Sequence, residues 1–416
     1  DVGADRSVAC KRQPRAQAVM ILTYRYRVLP SKRQHQALEA ICESQRQLYN
    51  AALEERIDCY RKTGKSISYI DQCKSLTVCR QALSEMGELP SKLQRWTLKR
   101  LDESFQGFFR RMKNRNGKAG FPRFRGKDRW RSFGFSEFWG IRFDGQRLRF
   151  AGMPSGLRVH LHRPLPGNAD IRSCVFRHNG RAWYICLAIA VDVAEKHAVS
   201  TAIGIDLGLK VFAYCSDGVI LPNPRIARKA ERAQRIAQRA LSRCRRGSNR
   251  RRKVKDRLAR LHRKIADTRS TWLHQQSSAL INHADLIAVE DLNVKNMVRH
   301  PTLARSIADA GWSTFIAMLD YKAAKAGSHV IRVDPRNTSQ KCSGCGELVP
   351  KSLAVRTHSC PHCSLVIDRD WNASLNILAA VVSGRQHNVV QQDERAAVNL
   401  GFGLKPSHYR KRRTKT

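Results

Sequence analysis

The sequence predicts a multidomain α/β protein, and three observations predict it. From about Ala198 onwards, short apolar strands alternate with helical stretches, as an α/β core requires. Upstream of that core, a long helical pattern is followed by several short alternating strands bounded by Gly and Pro, which read as an antiparallel β domain. Near the end, two CxxC pairs from Cys342 to Cys363 interrupt the α/β pattern with the spacing of a metal clip.

Taken in order, residues 1–19 precede Met20 and are expected to be a disordered extension; DVGADRSVACKRQ has no apolar core, so no signal peptide is expected. ILTYRYRVL alternates like a strand and stops at Pro30. QALEAICESQRQLYNAALEERIDCYRK and SKLQRWTLKRLDESFQGFFRRMKNR then carry apolar residues at helical steps, with Ser31 and Ser91 as expected N-caps. At NGKAGFPRFRGKDRWRSFGF the texture turns to Gly, Pro, aromatics and Arg. LRFAGM, LRVHLH, SCVFRH and RAWYICLAIAV follow as strands. The strand near Met20 is compatible with being the first of this β domain, with the helical block inserted. TAIGIDLGLKVFAYCSDGVI reads as two strands joined by a tight turn. Residues 225–269 hold nineteen Lys or Arg against three acids and read as two helices broken near RRGSNRRR. LIAVEDLNV is a buried strand, GWSTFIAMLDYKAAKAG an amphipathic helix ended by Gly327, HVIRVDP a strand and WNASLNILAAVV a helix. KPSHYRKRRTKT reads as a disordered basic tail. The chain shows no internal repeat.

The formal charge of the 416-residue chain is +43. Self-repulsion on that scale calls for a polyanion, and nucleic acid is the economical partner. A membrane surface is the rival, but the longest apolar run, Ala182 to Val191, is half of what a spanning helix needs. Of thirteen cysteines, nine are scattered singly and fit small buried hydrophobes in a reducing cytoplasm rather than a disulfide framework.

Cys342 and Cys345, then Cys360 and Cys363 after fourteen residues, present four thiolates to one tetrahedral ion. Gly344, Gly346 and Pro361 suit the two knuckles. His358 and His362 are alternative ligands, but four thiolates already close the shell, so the zinc is structural. Asp206 sits in AIGIDLGLK, on the face opposite Ile203 and Ile205, and Glu290 ends LIAVE. An acid inside so apolar a strand costs desolvation energy unless it is paired or binds a cation. Asp368 and Asp370 follow the clip at a helix start. Carboxylates on separate elements of one α/β core suit hard divalent cations. Two Mg²⁺ ions about 4 Å apart would activate water and stabilise the leaving oxygen of a phosphodiester. The bland alternative is that each acid caps a helix or pairs with an arginine.

The order GIDLG, IAVEDLNVKNM, VDPRNTSQKCSGCG, RTHSCPHC and DRDWNASLNIL resembles the transposon-encoded TnpB proteins, RNA-guided DNA nucleases related to compact type V CRISPR effectors. RQLYNAAL, GFPRFRGK and the LDYKAAKAG helix add to the match, which runs from about Met20 to Ala380. The resemblance implies an RNase H-like (RuvC) nuclease domain at 198–341 and 364–384, with a zinc ribbon inserted at 342–363. It further implies a β-barrel wedge domain (20–32 and 114–197) carrying a helical recognition insert (33–113), with a basic tail at 385–416. It maps the catalytic, Mg²⁺-binding acids onto Asp206, Glu290 and Asp370. Asp370 is preferred to Asp368 as the acid directly before the x-Asn-Ala helix start. The implied partners are a guide RNA and double-stranded target DNA, in a monomer of the prokaryotic cytoplasm associated with the nucleoid. Tyr69 matches a family position that reads a short motif flanking the target, and Lys92 and Arg95 lie near related positions. Alternatively Tyr69 packs between helices and the two bases lie on a solvated face. Arg251, Arg252 and Lys253 are expected to follow duplex phosphates. Arg123 and Arg125, in PRFRGKDRWRSF, are expected to contact guide RNA, with aromatic core packing as a compatible second role. A guided DNA-binding regulator and an RNA-independent RuvC-type nuclease are the competing functions. The intact acids argue against the first, and the large N-terminal half argues against the second.

Overall fold

A computed structural model describes residues 18–114, 119–166, 169–352 and 354–383. The expected extension up to residue 17 and the tail from 385 onwards lie outside the described residues. The chain divides into two compact units, one spanning Ala18–Val191 and one built from Asp192 onwards.

The first unit opens with β1 (Val19–Leu29), followed by α1 (Lys32–Thr63), α2 (Tyr69–Ala82), α3 (Ser84–Gly87) and α4 (Ser91–Lys113). Strands β2 (Ser132–Phe135), β3 (Ile141–Phe143), β4 (Arg147–Phe150), β5 (Leu157–His160), β6 (Asp170–His178) and β7 (Trp183–Asp192) complete it. They form one sheet in the order β2-β6-β7-β1-β5-β4-β3. The first strand therefore lies at its centre, and β2 and β3 are the edges of a half-barrel sheet where a β-barrel wedge domain is expected. Alternation in β1 buries Tyr24, Tyr26 and Val28 while Arg25 and Arg27 face solvent.

Helix α1 starts with a full capping box: the Gln34 N–H donates to Ser31 Oγ (3.3 Å) and the Ser31 N–H donates to Gln34 Oε1 (2.9 Å). Ser91, expected as the second N-cap, is instead the first helical residue of α4. Pro90 stands at the cap and no side chain bonds the first turn. The proline's fixed φ and missing N–H suit a helix entrance, which moves the boundary back by one residue. Leu93, Thr97, Leu98, Leu101 and Phe105 line the buried face of α4. Leu93, Leu98, Leu101 and Phe105 share one core with Leu38 and Leu53 of α1 and with Phe133, Phe176 and Ile185 of the sheet. Helical block and sheet are thus one hydrophobic body. Buried Arg56 joins three helices through Gln72 Oε1 (2.7 Å) and Asp102 Oδ1 (3.0 Å).

The second unit begins with β8 (Ala202–Leu207), β9 (Val211–Cys215) and β10 (Ile220–Pro222), so the expected strand pair is a triplet. Gly218, at φ +86°, turns the chain into the third strand. Then come α5 (Ile226–Lys229), α6 (Glu231–Ser242), α7 (Asn249–His283), β11 (Leu286–Glu290), α8 (Val294–Met297), α9 (Ala304–Ala310), α10 (Trp312–Ala326) and β12 (His329–Val333). A small hairpin, β13 (Thr357–Ser359) and β14 (Val366–Asp368), leads into α11 (Arg369–Val382). The main sheet runs β10-β9-β8-β11-β12. Its first three strands are antiparallel, and β8, β11 and β12 are mutually parallel. This is the arrangement expected of an RNase H-like core.

The two faces of the sheet are covered differently. Ile203, Ile205, Ile287 and Val289 pack with Leu273 and Leu280 of α7 and with Phe315 and Leu319 of α10. On the other face Ala288 and Val333 meet Ile377 of α11. Gly204 lets α11 approach: a Cβ there would lie 2.2 Å from the Ser374 carbonyl oxygen and 2.7 Å from the Leu378 backbone nitrogen. Backbone atoms on a packed helix cannot yield, so Gly204→Ala must push α11 off the sheet. The expected result is a destabilisation of at least about 1–3 kcal/mol in denaturant unfolding, together with loss of any function that α11 supports.

Candidate active site

The register of β8 and β11 pairs Val289 with Ile205. One step further, at the carboxyl ends of these parallel strands, stand Glu290 and Asp206, both on the α11 side of the sheet. Glu290 is 7% exposed, and its Oε1 accepts a 2.6 Å hydrogen bond from the Thr338 hydroxyl. Burial pushes its carboxyl pKa up, and the Thr338 bond partly offsets that. Asp206 is more strongly perturbed. Burial, then the negative charges of Glu290 and Asp370, hold its pKa well above the ordinary carboxylate range, and Arg369 opposes them. Glu290, Asp370 and, less strongly, Asp368 therefore all act on Asp206.

Asp368 and Asp370 have different duties. Asp368 is the N-cap of α11, and its Oδ1 accepts from the N–H groups of Asp370 (2.8 Å) and Trp371 (3.3 Å). Asp370, in the first turn, accepts at Oδ1 from Arg369 Nε (3.0 Å) and Nη2 (2.7 Å). Its Oδ2 lies 3.5 Å from Arg356 Nη1. The capping and arginine-pairing alternatives are thus both realised, on neighbouring acids. Among the described residues, the three carboxylates do not form a set whose ligand oxygens all lie within 4.8 Å of one another. Asp370 is paired with a guanidinium instead, which balances its charge.

Helix α11 is tied down by its asparagines. Asn372 Nδ2 donates to the Lys341 carbonyl (2.7 Å) and its Oδ1 accepts from the Ser343 N–H (2.9 Å). One turn on, Asn376 Nδ2 donates to the carbonyls of Thr338 (2.8 Å) and Lys341 (2.6 Å). The i, i+4 spacing in WNASLN places both on one helix face. They hold the strand-to-clip linker that carries Thr338, and so they hold Glu290. These asparagines, Thr338, Arg356 and Arg369 went unidentified as site residues in the sequence. The Asn spacing was the available signal.

The four-cysteine clip is assembled. Cys342 Sγ lies 3.6 Å from Cys363 Sγ, and Cys345 Sγ lies 3.5 Å from Cys360 Sγ. All four sulfurs lie within 4.8 Å of one another, the only such group of metal-binding side chains among the described residues. These separations are too long for a disulfide and suit a tetrahedral zinc, whose Zn–S bonds of about 2.3 Å put sulfurs about 3.8 Å apart. His358 is buried in the same module, with Nδ1 against Lys351. Burial, and then the Arg369 charge, push the Lys351 ammonium pKa down. Strand β14 runs directly from the clip into α11, and the Arg369 N–H donates to the Arg356 carbonyl (2.7 Å). The clip and Asp370 are mechanically continuous.

The expected nucleic-acid contacts lie in varied settings. Tyr69, the first residue of α2, packs against the first unit's core. Burial and then a hydrogen bond with Cys73 raise its phenol pKa. Lys92 is ion-paired with Glu137, and Arg95 is half-buried. Arg123 is exposed; the Arg125 guanidinium lies 5.6 Å from the Tyr49 ring centroid, and its backbone bonds Asn50. Arg251 turns inward: its Nη1 donates to the carbonyls of Leu241 (2.7 Å) and Cys244 (3.1 Å), capping the C-terminus of α6. Arg252 and Lys253 are exposed on the first turns of α7. That helix buries no side chain before Ile265.

The fold and its carboxylates define a class: an RNase H-like core whose acids lie at the edge of the sheet, joined to a four-cysteine clip. Family models agree segment by segment. Residues 184–300 match OrfB_IS605, described as "Probable transposase", and residues 312–377 match "Cas12f1-like, TNB domain". Residues 20–65 match a "Helix-turn-helix domain" model, although here that stretch forms β1 and α1. A Streptomyces pristinaespiralis protein named "Putative RNA-guided DNA endonuclease" is 32% identical over 365 residues, covering 86% of this chain and 88% of its own. The similarly named InsQ of Escherichia coli K12 is 26% identical over 377 residues, 86% of this chain and 91% of its own. Among solved structures, a Cas12f1–sgRNA–target DNA complex matches with a TM-score of 0.53 at 15% identity, covering 83% of this chain and 82% of that one. That likeness is one of fold. The chain belongs to the transposon-encoded TnpB family.

Two outcomes follow from the geometry. Because folding raises the Asp206 pKa, ionising it opposes folding. The metal-free protein loses that stability as pH rises from the unfolded carboxylate value, about 3.9, through the raised folded one. Asp206→Asn is therefore expected to raise the metal-free melting temperature at pH 7.5 by about 2 °C or more, read by calorimetry. Cys360→Ser is expected to lose one bound zinc per chain by elemental analysis and to lower the melting temperature.

Proposed function

We propose that this chain is an RNA-guided DNA endonuclease. It cuts double-stranded DNA beside a short flanking motif, in a single RuvC-like site formed by Asp206, Glu290 and Asp370. The observation that carries the reading is that Asp206, at the carboxyl end of a strand in an RNase H-like sheet, feels the negative charges of both Glu290 and Asp370. It occurs in a chain whose relatives, over most of its length, are named as guided endonucleases.

The donor set fits hard divalent cations: oxygen ligands only, Glu290 buried and Asp206 half-buried, both with raised pKa values that a cation would reverse. Bound Mg²⁺ would supply the nucleophile at neutral pH and stabilise the charge on the leaving oxygen. The chain's own residues do the positioning. Thr338 orients Glu290, Asp368 fixes the first turn of α11, and Arg369 holds Asp370 until a cation competes for it. The clip, closed by four thiolates, fits zinc and takes no part in the chemistry.

Recognition is divided in the same way. The exposed basic face of α7, including Arg252 and Lys253, suits the phosphates of a guide–target duplex, which such proteins read by backbone and shape. Arg251 shapes that hairpin instead. Arg123 and Arg125 remain candidates for guide RNA, and Tyr69, Lys92 and Arg95 for the flanking motif. Lys92 would have to leave Glu137 to do so. The protein would act as a monomer in a prokaryotic cytoplasm, at the nucleoid.

The test is co-expression with the flanking genomic RNA, then incubation with a plasmid library bearing a matched target and randomised flanks. Mg²⁺-dependent cutting next to one flanking motif, abolished by Asp206→Ala, is expected. Motif-specific binding without cutting would make the chain a guided regulator. Cutting indifferent to the guide would leave a plain RuvC-type nuclease.

A further inference from the structure

The donors closest to the three acids are already engaged. Arg369 donates to Asp370 and to the Val355 carbonyl, Arg356 faces Asp370 as well, and the Thr338 hydroxyl donates to Glu290. Tyr214 of β9 is differently placed. It pairs directly with Asp206 of β8, in an antiparallel register that also sets Cys215 opposite Ile205 and Ala213 opposite Leu207. Those four neighbours belong to the core beneath α7 and α10. Alternation therefore sends Tyr214 to the other face, the α11 side, together with Asp206. The Cβ atoms of such a cross-strand pair lie about 4.5–5.5 Å apart.

The Tyr214 side chain is half-buried, and among the described residues its hydroxyl has no hydrogen-bond partner. Burial, then the negative charges of Asp368 and Asp370, push its phenol pKa up. The charges of two acids at the start of α11 thus reach a phenol that stands opposite a third acid on β8. At neutral pH the hydroxyl keeps its proton and is a donor among carboxylates. Packing alone does not call for that hydroxyl, since phenylalanine would fill the same space.

We infer that Tyr214 is a further catalytic residue of the proposed nuclease site, its O–H donating to a nonbridging oxygen of the scissile phosphodiester. A phosphodiester brought to three carboxylates is an anion among acceptors. A neutral donor on the next strand opposes that repulsion and is compatible with cations on the acids. A fixed hydrogen bond to an oxygen that gains charge in the transition state speeds the chemical step more than it tightens binding. The phenol keeps its proton throughout, so the bonds made and broken at phosphorus remain those of the attack by water.

The inference rests on the nuclease reading, and its test separates the two. In the first arm nothing is cut. The guide-loaded full chain, in Ca²⁺ in place of Mg²⁺, is treated with N-acetylimidazole, and O-acetylation of Tyr214 is followed by mass spectrometry. Matched target DNA is expected to slow it several-fold beyond any effect of Ca²⁺ alone. Unchanged reactivity, or protection no greater than Ca²⁺ alone gives, would overturn the contact. In the second arm, single-turnover cutting in Mg²⁺ is compared between the wild type and Tyr214→Phe, which keeps the ring. The variant is expected to keep its melting temperature and its affinity for the target, and to cut about tenfold or more slowly. Sulfur in place of one nonbridging oxygen at the mapped cut is expected, in one diastereomer only, to slow the wild type by a larger factor than the variant. Cutting at the wild-type rate by Tyr214→Phe would overturn the assignment. Equal slowing of both proteins by both diastereomers would also overturn it, and would leave the hydroxyl a structural part. Protection in the first arm with no cutting by the wild type would remove the nuclease reading, and the catalytic role with it, while the contact with the strand would stand.

Discussion

The convergence of like charges at one edge of a sheet is the constraint around which the nuclease unit is built. Asp206 and Glu290 end neighbouring parallel strands, and Asp370 arrives from a helix laid across the same face. Left to electrostatics the three would move apart, so the packing must hold them. Gly204 lets α11 rest on β8 at backbone distance. Asn372 and Asn376 lash that helix to the linker leaving β12, and Thr338 of the same linker fixes Glu290. Arg369 balances the charge from beside Asp370. Each device is local and cheap to disrupt, and together they keep a cluster that no single contact would hold.

The four-cysteine clip gains meaning from this geometry. Its second knuckle feeds β14, which becomes α11 without a break, and the Arg356 carbonyl just before β13 accepts from the Arg369 N–H. A module that four thiolates can close around one ion is a rigid way to set the first turn of a helix whose second side chain, Asp370, pairs with an arginine. Much of the unit's positive charge lies elsewhere, on the outer turns of α6 and α7. There few side chains are buried, and self-repulsion is relieved by solvent or by a polyanion.

Much of this was legible in the sequence because it follows from short-range chemistry. Strand alternation placed Asp206 opposite Ile203 and Ile205, and the cysteine spacing stated its own geometry. Ser31 stood out as a helix N-cap, and the structure adds Gln34 to it as a capping box. Less visible were features set by tertiary contact. That β1 lies at the centre of its sheet, and that the helical block shares its core, depends on pairings far apart in the chain. Arg251 reads as one more phosphate contact in a basic run, yet it caps the preceding helix because the turn at Arg243–Ser248 brings it back. Pro90 displaced the expected cap at Ser91 by a single residue, a boundary that composition does not fix.

The central claim is that Asp206, Glu290 and Asp370, and not the capping Asp368, form one divalent-cation site. Titration of Mn²⁺ into the full chain, followed by electron paramagnetic resonance, tests it without requiring substrate or guide. Binding is expected in the wild type, weakened by Asp206→Asn, Glu290→Gln and Asp370→Asn alike, and retained in Asp368→Asn. Retention in Asp370→Asn with loss in Asp368→Asn would contradict the assignment.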